Sequence, residues 1–262
     1  MPIYAEFRTR RIASPARPPY DDDVPQIAID IALTLPPELR CRALESSALL
    51  TRRMSSLAHP SAFQLGRPFP AHEDTQACEP HVSLFMLQVD ESEIGEVLRV
   101  VEGVATPSPA TMATGQHWAH NPYGAPELYF HRSAQWMTLQ RAVVAAVAPL
   151  RRGRLRETDP AGVRLLDLIE ALRRDGSDPM RLRQLQTWGY DEVADADHDR
   201  FRPHLTLAWP ADNTFRIDLN ELPAPALFDG VLTDLAVFRL RPNGTCTRQY
   251  GGYPLCGKLP AN

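Results

Sequence analysis

The chain has 262 residues, of which 44% are hydrophobic, and a formal net charge of −4. This length is enough to bury a full core, in one large domain or in two packed lobes. The acidic balance argues against the basic surface by which proteins hold long nucleic acids, DNA duplexes included. Any nucleotide partner must therefore be held locally.

The chain also lacks features typical of secreted or membrane proteins. Its four cysteines follow no spacing of a zinc ribbon or a disulfide framework, so we expect reduced thiols. The amino terminus has no apolar signal core, and the longest apolar run, residues 142–150, is too short to cross a bilayer. We expect a monomeric cytoplasmic protein without membrane contact. Residues 1–25 are predicted to be an irregular arm before a single two-lobed domain at 26–262.

The first half of that domain predicts alternating strands and helices. In chain order they are a strand at 27–33, a helix at 39–57, a strand at 81–89, a helix at 91–104 and a strand at 111–120. The strands are rich in β-branched or other apolar residues. The first helix follows Pro36-Pro37, a common helix start, and its apolar positions recur at multiples of about 3.6. This pattern is typical of helices packed on a sheet.

The second half repeats that order after a turn at residues 121–124. Its predicted elements are a strand at 127–131, a helix at 136–150 that Ser133 can cap, a strand at 201–209 and a closing hairpin at 231–250. The Asn243-Gly244 pair favours a tight turn within the hairpin. Because the order strand, helix, connection, strand occurs twice, we predict a duplicated α+β fold that closes with antiparallel strands.

An additional arginine-rich segment at about 151–200 separates the second helix from the second motif strand. Asp159-Pro160 and Asp178-Pro179 each place an N-cap residue before a proline, which predicts two further helices. The charges of this segment fit either solvated helix faces or a lid over a site.

The most informative pattern is a tetrapeptide that occurs once in each half, His81-Val-Ser83-Leu and His204-Leu-Thr206-Leu. Since side chains alternate along a strand, each histidine shares a face with its hydroxyl residue, while the leucine faces the core. One neutral and one protonated imidazole suit general base and general acid catalysis on a phosphodiester. Ser83 and Thr206 would donate hydrogen bonds to the phosphoryl oxygens, so neither a metal nor a cofactor is expected.

On these two motifs the chain resembles the two-histidine (2H) phosphoesterase superfamily, and most closely its bacterial 2′-5′ RNA ligase and RNA cyclic phosphodiesterase branch. The opening strand and the closing hairpin extend the resemblance over about residues 26–257. The resemblance implies a two-lobed, pseudo-two-fold fold with helices outside and both histidines facing a central cleft. It also implies a nucleotide or RNA end with a cyclic phosphate as the partner. The long insertion and Ser83, in place of a threonine, depart from the family pattern.

Further residues are candidates for substrate contact because they share a strand face with the motifs or lie near them. These candidates are Phe85, Tyr129, His131, Arg202, Trp209 and Tyr253. Aromatic residues in a sheet are more often core residues, which is the alternative interpretation for most of the set. His117 and His120 are interpreted as surface or turn histidines, since their spacing matches no metal motif and no third ligand is evident.

The leading hypothesis is therefore a metal-independent phosphodiesterase that hydrolyses a 2′,3′-cyclic phosphate or a related cyclic ester. Two alternatives stay open. One is a non-catalytic nucleotide- or RNA-binding module of the same fold, and the other is RNA 2′-5′ ligation, which would use the same residues in reverse. The sequence does not distinguish which histidine is the acid and which is the base.

Overall fold

The computed structural model describes residues 25–70, 76–195 and 199–257. The arm predicted at 1–25 lies outside these residues, apart from Pro25. The helices are α1 (Pro37–Ser56), α2 (Ile94–Ala105), α3 (Ala134–Val147), α4 (Leu165–Asp175) and α5 (Pro179–Trp188). The strands are β1 (Gln26–Thr34), β2 (His81–Asp90), β3 (Thr111–Ala113), β4 (Gly115–His120), β5 (Pro126–Phe130), β6 (His204–Thr206), β7 (Gly230–Leu232), β8 (Asp234–Arg241) and β9 (Thr245–Pro254).

The strands form two main antiparallel sheets, one in each lobe. The first has the order β2-β1-β8-β9 and the second the order β4-β5-β6, while β3 and β7 form a small ribbon. In both main sheets the strand that carries a histidine motif pairs antiparallel with an earlier strand, β2 with β1 and β6 with β5. The strands β2 and β6 also lie against each other where the lobes meet. The predicted α+β fold with a pseudo-two-fold duplication is confirmed.

Strand β1 shows how the pattern of the sequence positions the site. Ile29, Ile31 and Leu33 alternate onto the face that packs in the main core, and all three are fully buried. Asp30 and Ala32 point to the other face and are equally buried. A charged residue thus lies inside the protein on the side of the sheet that faces the cleft.

Several predicted elements are observed close to their expected bounds. Helix α1 begins with Pro37 at its first turn and buries Ala43, Leu50 and Met54, whereas Leu57 lies just beyond its end and is exposed. In the closing hairpin Asn243 and Gly244 both have positive φ, as a tight turn with these residues requires. The motif leucines Leu84 and Leu207, predicted for the core, are fully buried.

Other predictions were wrong, and the structure gives the reasons. The strand predicted at 111–120 is divided into β3 and β4, which belong to different sheets. The second motif strand is only three residues long, not nine. Asp178 caps α5 as predicted, but Asp159 starts no helix. Its carboxylate accepts hydrogen bonds from the backbone of Ala161 and Val163, so it stabilises a turn.

The hydrophobic core extends through both lobes as one continuous cluster that includes residues of β1, β2, β5, α2 and α3. The insertion adds a small cluster of its own, formed by Leu165, Ile169, Leu172 and Leu185 of α4 and α5. No helix in the described part of the chain is long and apolar enough to cross a membrane.

Candidate active site

The two motif histidines are oriented in the same way by the backbone. The Nδ1 atom of His81 lies 2.7 Å from the carbonyl oxygen of Glu79, and the Nδ1 atom of His204 lies 2.7 Å from that of Arg202. A carbonyl oxygen only accepts, so each Nδ1 carries the proton that is donated. In both rings Nε2 is therefore the atom left for chemistry.

Both motifs line one cleft of about 260 Å³ at the junction of the lobes. His81 and Ser83 enter it from β2, and His204 and Thr206 enter it from β6. The predicted convergence of two imidazoles and two hydroxyls is therefore present in the structure. Three insertion residues that the sequence did not single out, Tyr190, Asp191 and Glu192, also line the cleft.

A buried carboxylate lies beside each histidine. On the β2 side, Asp30 accepts a 2.5 Å hydrogen bond from the Ser83 hydroxyl, and its Oδ2 atom is 3.6 Å from His81 Nε2. On the β6 side, Glu127 Oε1 accepts a 3.3 Å hydrogen bond from the Thr206 hydroxyl and is 3.9 Å from His204 Nε2. The duplication thus includes an imidazole, a hydroxyl and a carboxylate in each half.

The two carboxylates differ in their surroundings. Glu127 accepts further hydrogen bonds from Tyr129 Oη, at 2.6 Å, and from Asn121 Nδ2, at 2.8 Å. Asp30 is fully buried, and its Oδ1 atom has no hydrogen-bond partner. Burial raises the pKa of Asp30 to about 7, although hydrogen bonds from Ser83 and Cys246 oppose this shift. Asp30 therefore has an incompletely satisfied carboxyl group.

The two histidines differ in pKa because nearby charges act on them differently. Burial lowers the pKa of His81 below the ordinary histidine value, and the nearby His204 adds to this effect. Burial acts in the same direction on His204, but the negative charges of Glu127 and Glu192 outweigh it and raise its pKa. Near neutral pH, His81 is thus mainly neutral and His204 holds its proton more firmly.

The hydroxyl groups of both motifs donate to carboxylates. Ser83 and Thr206 were expected to donate to a phosphate, but in the structure each donates to a carboxylate. A hydroxyl has a single proton to donate. Each side chain would therefore have to rotate away from its carboxylate before it could bind an anion by donation.

Of the six residues predicted to contact substrate, Tyr129, Arg202 and Trp209 line the cleft. The other three do not. Phe85 is fully buried in the core, where its ring packs edge-to-face on Tyr190. Phe85 does not share a strand face with His81, because the pairing of β1 with β2 shifts by one residue between Ile31 and Ala32.

The remaining two candidates lie elsewhere on the surface. His131 lines a separate apolar cavity beside α3, and Tyr253 is on β9, outside the cleft. His117, interpreted as a surface histidine, is exposed and stacks on Tyr129 at 5.1 Å between ring centroids.

Sequence reasoning did not find the carboxylates Asp30, Glu127 and Glu192. A signal for Asp30 existed, because it is the single charged residue within an otherwise apolar strand. Glu127 stands in a predicted strand beside Tyr129, and nothing in the local pattern distinguishes it. Glu192 belongs to an acidic stretch whose placement depends on how the insertion folds.

Ion pairs connect parts of the insertion to one another beside the cleft. Arg181 contacts Asp191 at 2.5 Å, and Arg200 contacts Asp178 at 2.7 Å. These arginines line the cleft, yet their charges are already matched by acids of the same segment. Helix α4 has exposed charges, as a solvated face has, while residues 190–192 line the cleft.

Comparison with solved structures identifies the fold. The chain superposes on the crystal structure of TT0787 from Thermus thermophilus with a TM-score of 0.52 and 16% identity, covering 89% of this chain and 100% of that one. At this identity the superposition shows a shared fold, and it agrees with the α+β fold expected from the sequence. No family model and no curated protein matches the chain.

Two further structures match over a similar share of the chain, with lower TM-scores. LigT of E. coli, in its apo form, aligns with a TM-score of 0.48 and 12% identity over 88% of this chain and 98% of LigT. Usb1 of Kluyveromyces marxianus aligns with a TM-score of 0.40 and 12% identity over 88% and 97% of the two chains.

Proposed function

We propose that the protein is a metal-independent phosphodiesterase that hydrolyses a cyclic phosphodiester, such as a 2′,3′-cyclic phosphate, on a nucleotide or an RNA end. The observation that supports this most strongly is the arrangement of the two imidazoles. His81 and His204 line one cleft from opposite lobes, and each is anchored through Nδ1 so that Nε2 is available.

In the proposed reaction the two rings transfer protons at opposite ends of the phosphorus centre. His81, which is mainly neutral, takes a proton from water as the water oxygen attacks phosphorus. His204, whose pKa the nearby carboxylates raise, donates a proton to the ribose oxygen as its bond to phosphorus breaks. The product is a phosphomonoester, and the two histidines exchange protons with solvent before the next turnover.

The carboxylates favour a diester over a monoester as the bound group. A cyclic diester carries one negative charge, whereas its monoester product carries nearly two at neutral pH. Glu127, whose Oε1 atom is 3.9 Å from His204 Nε2, repels the second charge at short range. Arg202, which lines the cleft, is the cation in the best position to contact the phosphoryl group.

Ligation to a 2′-5′ linkage is a second candidate because it is the same chemistry in reverse and needs the same two histidines. A binding module without turnover is the third, with the insertion as its contact surface. It predicts salt-sensitive binding of RNA without product. The paired Nε2 atoms favour catalysis over binding alone, since binding does not require two anchored imidazoles.

The decisive experiment is to incubate the purified protein with 2′,3′-cyclic nucleotides and short RNAs that end in a cyclic phosphate, with a chelator present. We expect monoester product. Replacing either histidine, in His81→Ala or His204→Ala, should reduce kcat/KM by about 10² to 10⁴-fold. His59, which is outside the cleft and stacks on Phe215, provides the matched control His59→Ala. Near-normal turnover in either cleft variant would disprove the mechanism, and joined RNA without hydrolysis would favour the ligase.

A further inference from the structure

Three side chains, His81 of the cleft and two buried residues beside it, carry the donor atoms that zinc prefers. Asp30 offers a carboxylate oxygen, His81 its Nε2 atom and Cys246 its sulfur, and these atoms lie within 4.8 Å of one another. We propose that Asp30, His81 and Cys246 form a Zn²⁺ site, and that bound zinc inhibits the enzyme by occupying His81. The inhibitory effect, but not the metal site itself, rests on the proposed function.

Two of the three distances between the ligand atoms match those around a tetrahedral zinc ion. Asp30 Oδ2 is 3.6 Å from His81 Nε2 and 3.6 Å from Cys246 Sγ. Zinc bonds of about 2.0 to 2.1 Å to nitrogen or oxygen, and about 2.3 Å to sulfur, place ligand atoms roughly 3.3 to 3.7 Å apart in a tetrahedron. The third pair, His81 Nε2 and Cys246 Sγ, lies within 4.8 Å, so rotation of these side chains would bring all three atoms to bonding distance of one ion.

The orientation of His81 favours metal binding at Nε2. Its Nδ1 proton is donated to the carbonyl oxygen of Glu79, so the neutral ring presents the Nε2 lone pair towards Asp30. Zinc-bound histidines commonly donate their other ring N–H to a carbonyl or carboxylate, which fixes the tautomer. The backbone contact that prepares His81 for proton transfer thus prepares it equally for a metal.

The unsatisfied oxygen of Asp30 is an independent indication. Asp30 is fully buried, and its Oδ1 atom has no hydrogen-bond partner. A cation bound through both oxygens of this carboxylate would give Oδ1 a partner and recover the free energy that an unpartnered buried atom costs. The charges also balance, because one carboxylate and one thiolate neutralise a divalent ion, and the thiol proton passes to solvent on binding.

The opposite half of the site does not offer an equivalent set. His204 and Glu127 lie 3.9 Å apart, but of the residues that the structure describes, only the group around Asp30 brings three potential ligand atoms together. Three protein ligands leave a fourth position, and His81 lines the cleft, so water or a phosphoryl oxygen could complete the shell. Zinc would therefore bind on one side of the duplicated site only.

The site can be tested directly with Co²⁺, which takes zinc's place in such ligand sets and shows a sulfur-to-cobalt charge-transfer band in the near ultraviolet. The chelator-treated full chain should bind one equivalent of Co²⁺ with this band, and Zn²⁺ should displace it. Cys246→Ser should remove the band, whereas Cys256→Ser, at an exposed thiol, should retain it. Asp30→Asn should weaken binding at least tenfold, and circular dichroism would verify that each variant is folded.

A band that is absent from the wild-type protein, or that persists in folded Cys246→Ser, would overturn the site. In activity assays, added Zn²⁺ should lower turnover in proportion to occupancy, and chelator should restore it. Full activity of the zinc-loaded protein would overturn the inhibition. If the protein binds zinc but hydrolyses no cyclic phosphate under any condition, the proposed function fails while the metal site stands.

Discussion

At the scale of single residues, the site depends on how nearby charges act on two similar imidazoles. His81 and His204 have the same backbone contact through Nδ1, yet their pKa values move in opposite directions. The difference comes from Glu127 and Glu192, which surround the second ring. Two histidines in motifs of the same form therefore become chemically distinct groups.

This difference predicts the pH dependence of catalysis in the presence of a chelator. Activity should fall below the ordinary histidine pKa of 6.5, where His81 gains a proton, and should fall above it, where His204 loses one. The profile of kcat/KM against pH should be a bell whose two limbs belong to the coupled pair. A rate that increases steadily from pH 5 to pH 9 would contradict the assigned roles.

Glu192 makes a separate prediction about stability. Burial raises its pKa to about 7, so the folded state holds a proton that the unfolded chain releases above about pH 4.5. This contribution to the free energy of unfolding is therefore lost as the pH rises from 4.5 to 7. We expect Glu192→Gln to raise Tm at pH 8 by about 2 to 4 °C, which is on the order of 1 kcal/mol, with little change near pH 4.5.

The matched control for that experiment is Glu170→Gln, because Glu170 is exposed on α4. Its effect on Tm should be small at both pH values. Thermal unfolding followed by circular dichroism would give Tm for the wild type and for both variants. A stabilisation by Glu192→Gln that is the same at pH 4.5 and pH 8 would rule out ionisation as its cause.

At the scale of elements, the division between β3 and β4 shows how a close contact determines strand boundaries. A Cβ atom on Gly115 would lie 2.0 Å from the carbonyl oxygen of Pro225, so only glycine fits there. The Gly115 N–H also donates a 2.7 Å hydrogen bond to Asp229. This contact holds the first residue of β4 and ends the continuous strand that the sequence predicted.

Gly115→Ala should therefore destabilise the protein by about 1 to 3 kcal/mol, since the backbone must move to admit the methyl group. Gly103→Ala is the matched control, because Gly103 lies within α2 and a Cβ atom there meets nothing within 4 Å. That substitution should stabilise by about 0.5 to 1 kcal/mol. Urea unfolding would measure both, and equal effects of the two substitutions would contradict the steric explanation.

At the scale of the whole molecule, the lobes and the insertion differ in the hydrophobic core that stabilises them. One continuous core connects both sheets, whereas α4 and α5 bury their apolar residues in a small separate cluster. The segment that follows α5 joins the main core through Tyr190 and Val193. The residues that reach the cleft are thus better anchored than the helices before them.

Hydrogen exchange should reveal this difference. Amides of α4 and α5 should exchange by local opening, at a lower free energy than amides of β1, β2 and β8, which should exchange only by global unfolding. Mass spectrometry of exchanged peptides would measure both groups. Equal protection of the insertion helices and the central strands would contradict a separate, weaker unit.

Much of this protein can be predicted from its sequence. Alternation of apolar residues, the paired His-x-Ser/Thr-Leu motifs and the Asn243-Gly244 turn are local patterns, and they sufficed to predict the duplicated α+β fold and the convergence of His81 and His204. Only the tertiary structure determined what surrounds that pair. Asp30, Glu127, Glu192 and Cys246 come from distant parts of the chain, and their roles depend on burial and on distances of a few ångströms, which no local pattern encodes.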